Sequence, residues 1–328
     1  MNLSMMLFLS SMMMGTIISI SSNQWIIMWV GLEMNLMSFI PMMKTSSSPY
    51  ESEASMKYFL VQAMASAILM MTILMVEVGM LKEMMNNTLM MTLFIKMGAA
   101  PFHMWYPGVM QGLSWMNCLI LMTWQKLAPM VMFSYLMKSN YIMMTVVFLS
   151  AMAGTIGTMN QTSIRKLMAY SSVSHISWMI MAMSMNTYYW MMYFSLYTMM
   201  NIATVMIFWQ NEMFHLSQIL NSNGGSATKM VMFTSILSLG GMPPFLGFIP
   251  KWVMIQSMMM QQNYMTIMVM VMSTLIVLYT YLRMTYSSFT MGSQGFKWNV
   301  IYYNKSVMFM SMMITLAGIP MITWISLT

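Results

Sequence analysis

The sequence contains no aspartate, and charged residues of any kind are scarce. Charged residues make up 6% of the 328 residues, whereas hydrophobic residues make up 59%. A typical soluble domain carries about 25% charged residues. Because so few charges cannot cover a water-facing surface, the composition excludes a soluble globular protein and predicts a membrane protein. The mean hydropathy of +0.68 agrees with this prediction.

Cysteine is almost absent as well. The single Cys118 excludes an internal disulfide. The sequence also lacks the glycine-rich loops that bind phosphates and the paired Cys or His motifs that bind metals. No segment between the apolar runs is long enough for a cofactor-binding domain, and the net charge of +7 is too scattered for nucleic acid. We therefore expect this chain to bind no cofactor, no metal and no nucleic acid.

Long apolar runs fill most of the chain. Runs bounded by Gly, Pro, Asn or charged residues predict an all-α polytopic membrane protein with about eleven transmembrane helices. The predicted helices lie at residues 3–20, 25–43, 57–77, 85–106, 112–136, 140–159, 166–185, 188–210, 229–259, 263–284 and 303–327. The ninth is too long for one span and contains the segment GGMPPFLGFIP, which predicts a broken helix.

Glycine and proline breaks occur in the fourth and ninth predicted helices, five helices apart. An odd offset makes two helices run in opposite directions, so these helices can occupy matching positions of two inverted repeats. We expect one membrane domain, residues 1–328, with inverted five-helix repeats at 3–137 and 139–286 and an added helix at 303–327. Interrupted helices at matching positions indicate the ion pathway in transporters.

Basic residues are distributed unevenly between alternate loops. With the N-terminus placed inside, the inner loops and helix ends hold eight basic residues and the outer loops hold two. The inner residues are Lys44, Lys57, Arg165, Lys166, Lys229, Arg283, Lys297 and Lys305, and the outer ones are Lys82 and Lys138. The positive-inside rule then predicts an inner N-terminus and, with an odd number of helices, an outer C-terminus.

Four ionisable residues lie deep within predicted spans: Glu33, Lys96, Lys126 and Lys251. Insertion scales put the cost of each at about 2.5–3.5 kcal/mol, so these groups must be paired, hydrated or neutralised. Burial favours the neutral form of a lysine, whereas a nearby carboxylate favours its charged form. A buried lysine can therefore change its charge as a partner approaches or leaves, and the set predicts a proton relay. As alternatives, Lys251 could reach an interface, and Glu33 could be a static hydrogen-bonding residue.

Two of the buried lysines stand beside the predicted helix breaks. Lys96 precedes the segment GAAP (98–101), and Lys251 follows the segment GGMPPFLGFIP. Unpaired backbone groups at a break are tolerated in a membrane only where they line a polar cavity. We therefore expect the breaks to let water reach both lysines.

A second polar track lies in the seventh predicted helix. Ser171, Ser174, His175 and Trp178 follow a spacing of i, i+3, i+4 and i+7, which places them on one helix face. A histidine with hydroxyl neighbours can pass protons near neutral pH, so His175 and Ser171 join the candidate site. The alternative is a hydrogen-bonded packing histidine. Elsewhere, the i, i+4 spacing of Glu53 and Lys57 predicts an ion pair at the membrane interface.

These residues carry a resemblance to a known family. The quoted segments are WVGLEMNLMSFIP, EASMKYFLVQAMAS, KMGAAPFHMWYPGVMQGLSWMN, NQTSIRKLMAYSSVSHISW and SLGGMPPFLGFIPKW. Together they resemble the subunit 2 family of mitochondrial NADH dehydrogenase (ubiquinone), which is one of the antiporter-like families of respiratory complex I. The 62 methionines resemble arthropod mitochondrial products, in which AUA is translated as methionine.

The resemblance implies a function and an assembly. It implies a core membrane subunit of a proton-pumping NADH:ubiquinone oxidoreductase in the mitochondrial inner membrane, with the N-terminus in the matrix and the C-terminus in the intermembrane space. Glu33 and Lys96 would form an interacting pair, Lys126 the central relay and Lys251 the outlet. Subunits 4, 4L and 6, accessory subunits and lipids such as cardiolipin would be partners. NADH, FMN, iron-sulfur clusters and ubiquinone would bind to other subunits. A cation/proton antiporter subunit and an assembly scaffold without its own proton flux are the alternatives.

Overall fold

The fold is helical throughout the part of the chain that the structure describes. The structure is a computed structural model, and it describes residues 3–44, 48–77, 82–137, 141–220, 226–290, 305–318 and 320. These residues form fifteen helices, and the β pairing among them is limited to one isolated bridge between Ser163 and His215. The predicted all-α class is confirmed.

The chain divides into two compact units, residues 1–146 and 147–328. The first contains α1 (Leu3–Ser21), α2 (Trp25–Met43), α3 (Pro49–Glu77), α4 (Lys82–Met97), α5 (Trp105–Gly112), α6 (Trp115–Met122) and α7 (Trp124–Tyr135). The boundary falls within α8 (Tyr141–Met159). The second contains α9 (Ile164–Met185), α10 (Thr187–Gln210), α11 (Leu216–Leu220), α12 (Ser226–Gly240), α13 (Phe248–Met260), α14 (Tyr264–Thr290) and α15 (Lys305–Leu316).

Six of the described helices are long and apolar enough to cross a membrane. They are Leu3–Ser21, Trp25–Met43, Pro49–Val76, Tyr141–Met159, Thr187–Gln210 and Tyr264–Ser287, with shorter apolar helices at Thr228–Gly240 and Ser306–Leu316. The polytopic character of the chain is therefore confirmed. The predicted count of eleven spans is not, because several predicted spans are divided into shorter helices.

The distribution of polar and apolar side chains suits a lipid environment. In α1, Leu3 and Met14 are exposed by 81% and 56%, whereas Thr16 and Ser19 are buried. Buried hydroxyls need partners in a medium without water. Thr16 and Ser19 donate to carbonyls of their own helix at 2.8 Å. The apolar residues face outward because lipid solvates them as well as a protein core does.

Small residues allow α1 and α2 to approach each other closely. Gly15 and Ser19 on α1, and Gly31 and Asn35 on α2, are each four residues apart and so lie on one helix face. A Cβ atom added to Gly31 would lie 2.7 Å from both the Gly15 carbonyl oxygen and the Ser19 backbone nitrogen. Packing of small residues drives helix association in membranes, where no hydrophobic effect pulls helices together. The α1–α2 pair uses this mode of packing.

Helix breaks occur where the sequence predicts them and at one further place. The predicted helix 85–106 ends as α4 at Met97, and the predicted helix 229–259 is divided into α12 and α13. Gly98 and Gly241, which follow α4 and α12, adopt positive φ angles of 74° and 84°. Glycine adopts such angles without a steric penalty, so it ends a helix readily.

The fifth predicted helix, residues 112–136, is also divided, contrary to the prediction. The structure has α6 and α7 in its place, separated at Thr123 with φ of −110° and ψ of −72°. The Thr123 hydroxyl donates to the Leu119 carbonyl at 2.7 Å. Threonine side chains that bond to the preceding turn often bend helices, so this bond is compatible with the break.

Some predictions lie outside the described residues. Lys138 and Lys297, which contribute to the predicted orientation, are among these, as are residues 303–304 and most of 319–327 from the last predicted helix. The inverted repeat also stays a prediction. The third predicted helix begins earlier than expected, at Pro49, and it contains both Glu53 and Lys57.

We predict that Gly31→Ala lowers the free energy of unfolding by about 1–3 kcal/mol, because an added methyl group overpacks the backbone contact with α1. Chemical unfolding of the purified chain in detergent micelles measures this change. Gly108→Ala is the matched control, because a Cβ atom at Gly108 would meet no other atom within 4 Å. Equal stabilities of the two variants would contradict the close-packing account.

Candidate functional site

A small cavity in the first unit brings two of the predicted lysines together. Lys96 of α4 and Lys126 of α7 both line it, and its volume is about 20 Å³. A cavity needs about 10–15 Å³ to hold one water molecule. The polar residues around the two lysines are Asn35, Tyr58, Gln62 and Gln125. The cavity therefore has room for a water molecule and polar groups to bind it.

Lys96 lies at the end of α4, beside the break. Its side chain is 7% exposed, and Gly98 ends the helix two residues later. The last carbonyls of a helix need partners from outside it. Gln62 of α3 donates to the Lys96 carbonyl at 3.3 Å, and Trp105 of α5 donates to the Ile95 carbonyl at 3.2 Å. The negative end of the helix dipole also favours a cation at this position.

Lys126 lies three residues after the break that the sequence does not predict. Its side chain is 2% exposed, and its ammonium group lies 5.3 Å from the centre of the Tyr106 ring. A cation at this distance is attracted to the negative face of an aromatic ring. Tyr106 belongs to α5, the short helix that follows the break at Gly98. This helix therefore provides an aromatic partner for Lys126.

Glu33 interacts with the same site from α2. Its side chain is partly exposed, between Leu32, which lines the cavity, and Met34, which is 42% exposed. The carboxylate acts on the Lys96 ammonium by charge, although no direct ion pair joins these two residues. The structure thus places Glu33 within electrostatic range of Lys96. The predicted pair of Glu53 and Lys57 is confirmed as an exposed ion pair with an N–O distance of 2.6 Å.

Sequence reasoning missed a hydrogen-bonded group that surrounds the lysines. The Gln125 amide donates to the Asn35 side-chain oxygen at 2.9 Å, and the Tyr58 hydroxyl donates to the Gln125 side-chain oxygen at 3.4 Å. Tyr58 and Asn35 are both 3% exposed. Tyr58 and Gln62 stand four residues apart in an apolar helix, which is a detectable signal because buried amides need partners. The spacing of these residues does not predict that their side chains reach the same cavity.

In the second unit, Lys251 occupies the break between α12 and α13. Its ammonium group donates to the Gly240 carbonyl at 2.7 Å, and its side chain is 7% exposed. Gly241 gives this side chain room, because a Cβ atom there would lie 2.9 Å from the ammonium nitrogen. The lysine therefore binds a carbonyl at the break itself, which favours this arrangement over a side chain reaching the interface.

His175 lies in the interior of the second unit, on α9. Every residue of α9 from 171 to 183 is buried. The His175 Nδ1 atom and the Tyr193 hydroxyl are 2.9 Å apart, and the Tyr197 ring centre lies 5.1 Å from that of His175. The hydroxyl of Ser171 donates to the Met168 carbonyl at 2.8 Å. Ser171 thus uses its proton within its own helix, whereas His175 has a titratable neighbour on α10.

Metal ligation has no support in the described part of the chain. No group of three or more His, Cys, Asp or Glu residues there could hold a metal ion. The chemistry of the two clusters is that of buried ammonium, phenol, imidazole and amide groups, which donate and accept hydrogen bonds.

Comparisons with known proteins place the chain in a family. A family model described as "NADH:quinone oxidoreductase/Mrp antiporter, TM" matches residues 22–277. NADH-ubiquinone oxidoreductase chain 2 of Anopheles gambiae is 43% identical, and the match covers 97% of each chain. The protein of the same name from Oryctolagus cuniculus is 38% identical, over 87% of this chain and 86% of that one.

The chain belongs to the NADH-ubiquinone oxidoreductase chain 2 family.

The resemblance that the sequence motifs indicated is thereby confirmed. Solved structures share the chain 2 fold. A chain of respiratory complex I from Thermus thermophilus with bound aureothin matches with a TM-score of 0.85 and 21% identity, covering 97% of this chain and 78% of that chain. A chain of the Mrp complex from Dietzia sp. DQ12-45-1b matches with a TM-score of 0.77 and 16% identity, covering 84% of this chain and 59% of that chain.

For this chain 2 family member, we predict that Gln125→Leu destabilises the first unit. The substitution leaves the Asn35 amide oxygen and the Tyr58 hydroxyl without their shared partner, at a cost of about 1–3 kcal/mol. Thermal unfolding of the purified chain in detergent checks this. Gln256→Leu is the control, because Gln256 is exposed on α13. An equal effect of the two substitutions would show that the network contributes nothing.

We also predict that Gly241→Ala is costly and that most of the cost depends on Lys251. The positive φ angle penalises alanine by roughly 1–2 kcal/mol, and the clash with the ammonium group raises the total to about 2–5 kcal/mol. In a Lys251→Ala background, the cost of Gly241→Ala should fall to the backbone penalty and the remaining contact with the Gly247 carbonyl oxygen, which a Cβ atom would meet at 3.2 Å. Unfolding measurements on the four chains give this difference. An unchanged cost in that background would mean that Gly241 does not make room for Lys251.

Proposed function

We propose that this chain is a proton-translocating, antiporter-like membrane subunit of NADH-ubiquinone oxidoreductase. The relatives with this name cover nearly the whole chain, and the family model matches more than half of it. The chain contributes a proton path, and the redox chemistry takes place on other subunits of the assembly.

The observation that carries the proposal is the shared cavity of Lys96 and Lys126. The two lysines line one space of about 20 Å³. Two ammonium groups there disfavour each other's charge, so the pair holds one excess proton more readily than two. A water molecule in the cavity lets that proton move from one lysine to the other.

Glu33 biases the position of the proton. Its negative charge favours the charged form of Lys96 through space, without a direct ion pair. When the carboxylate is protonated or moves away, this stabilisation is lost and the proton is better held by Lys126. The Tyr106 ring, 5.3 Å away, supports the charged form of Lys126 at that stage. Lysine suits this task because its charge can change, whereas arginine remains protonated.

The second unit contributes the later part of the path. We assign the outlet to Lys251, following the family resemblance, and a supporting role to His175. The bond from Lys251 to the Gly240 carbonyl supports the assignment, since it holds the ammonium group at a helix break. The contact of His175 with the Tyr193 hydroxyl supports proton exchange with α10. The Ser171 hydroxyl can only accept a further hydrogen bond there, because it donates its own proton to the Met168 carbonyl.

The same proposal includes a location and partners. The chain lies in the mitochondrial inner membrane, with its N-terminus in the matrix and its C-terminus in the intermembrane space. Subunits 4, 4L and 6, accessory subunits and cardiolipin surround it. NADH, FMN, iron-sulfur clusters and ubiquinone bind to other subunits. The unequal distribution of basic residues supports the orientation.

A cation/proton antiporter subunit is the second candidate. Its support is the fold shared with the Mrp complex chain, at a TM-score of 0.77. Purification from native membranes separates the two candidates. Recovery of the chain in an NADH-oxidising assembly supports the oxidoreductase subunit, whereas recovery in a complex without NADH oxidation supports the antiporter.

We predict that Lys96→Met and Lys126→Met impair the same step of proton transfer. Each should lower the rate of proton pumping by about tenfold or more, because positioned proton-transfer groups accelerate proton transfer by roughly 10²–10⁴-fold. The double variant should pump at the level of the more impaired single variant, because both substitutions interrupt one path. Proton uptake in vesicles containing the assembled complex measures the effect.

Lys57→Met is the control for this experiment. Lys57 is a lysine of the same unit, but it is exposed and paired with Glu53. Its loss should leave pumping unchanged. Multiplicative losses in the double variant, with normal assembly, would refute the shared path, and normal pumping in both single variants would favour the scaffold without proton flux.

A further inference from the structure

The second unit contains an apolar pocket far larger than the water-sized cavity of the first unit. Its volume is about 260 Å³, and it lies among α11, α12 and α14. Its walls include Leu216, Ile219, Phe233, Ile236 and Met284, with Arg283 also lining it. Small-molecule pockets usually measure about 300–1,000 Å³. This pocket is smaller, so it suits an inserted apolar chain better than a whole organic ligand.

The length of α14 before Arg283 suits a position of this arginine at a membrane surface. The part of α14 that precedes it is free of charge from Tyr264 onward, and that part is about 28 Å long at 1.5 Å per residue. The hydrocarbon core of a bilayer is about 30 Å thick. When Tyr264 lies at one surface, Arg283 lies at the other, level with lipid headgroups, and its side chain is exposed.

The position of the guanidinium group is held by the protein. One Nη atom of Arg283 donates to the Met159 carbonyl at the end of α8, at 2.8 Å. The guanidinium group has five N–H donors, and this bond uses one of them. The planar donor group fits the oxygens of a phosphate or a carboxylate, and phosphate is the group that phospholipid headgroups provide.

The other arginine of the chain contacts the segment that leads into α11, residues 212–216. Arg165 lies over the Phe214 ring at 4.6 Å, and Phe214 precedes the pocket residue Leu216 by two positions. The backbone nitrogen of Leu216 also donates to the Thr162 carbonyl at 2.9 Å, which joins the segment to the loop before Arg165. Lys166 adds a further positive charge, and the exposed Glu212 is the acidic residue on this segment. The balance of charge around the segment is positive.

We propose that this pocket binds an anionic phospholipid, with the headgroup phosphate on Arg283 and one acyl chain between α11, α12 and α14. The arginine suits the charged headgroup of a phospholipid, and the apolar pocket suits its acyl chain. The two features lie side by side, as the two parts of such a lipid do. Basic groups beside helices at the inner membrane surface attract anionic lipids, by about 1 kcal/mol per charge. The site extends the lipid contacts of the proposed function by naming where one anionic lipid binds, and it does not rest on the proton path.

Photolabelling of the whole chain in vesicles tests this proposal. Phosphatidylcholine vesicles would contain a trace of phosphatidylglycerol or, separately, of phosphatidylcholine, each with a diazirine on one acyl chain. We expect the anionic probe to label the peptides around 216–236 and 283–287 several-fold more than the zwitterionic probe. Excess inorganic phosphate should not compete, because the acyl chain contributes to binding.

Three variants make the test specific. Arg283→Gln should reduce anionic labelling to the level of the zwitterionic probe, whereas Arg283→Lys should retain most of it. Ile236→Trp should fill the pocket and reduce labelling by both probes while Arg283 stays in place. Lys57→Gln, a charge loss in the first unit, should change nothing.

Two results would overturn the proposal. Equal labelling by both probes in the native chain would mean that bulk lipid wets the pocket without recognition. Absence of label from the pocket peptides, with label elsewhere on the chain, would mean that protein covers the pocket.

Discussion

The cost of a cation inside a bilayer is the constraint on which the arrangement of this protein depends. An ammonium group at a helix centre is penalised by about 2.5–3.5 kcal/mol, and three lysines of this chain are 7% exposed or less. Each of the three stands beside an interrupted helix: Lys96 before Gly98, Lys126 after Thr123 and Lys251 near Gly240. A break supplies carbonyls, dipole ends and space, which are the groups that a buried cation needs. The helix breaks therefore stabilise the buried lysines.

The breaks in turn require support from neighbouring helices. In the first unit, Gln62 and Trp105 bind the carbonyls at the end of α4, and Tyr106 faces the Lys126 ammonium group. Gln125, next to that lysine, connects α7 to α2 and α3 through Asn35 and Tyr58. Backbone polar groups without water must find such partners inside the protein. The consequence is a polar interior around Lys96 and Lys126.

The exterior follows the opposite rule. Apolar side chains such as those of Leu3 and Met14 are exposed because lipid solvates them, and α1 and α2 associate through close contact of Gly15 and Gly31 instead of through apolar side chains. Charge at the membrane surface has another use. Arg283 is exposed beside an apolar pocket, and this is the combination of features that we propose binds a phospholipid.

The sequence by itself determined the class of the protein, because composition and long apolar runs leave no alternative to a helical membrane protein. It also determined the identity of the buried lysines and the breaks at Gly98 and Gly241, since a cation in an apolar run and glycine beside proline are local signals. The position of Lys96 and Lys126 on consecutive predicted helices allowed them to share one cavity, and the structure has both lining it; only the tertiary structure decided that Asn35, Tyr58 and Gln125 surround them. These residues lie on different helices, and spacing along one helix carries no information about its neighbours. The break at Thr123 was also decided by the fold, because no glycine or proline marks it in the sequence and a threonine that binds the preceding turn also occurs in an intact helix, as Thr204 does in α10.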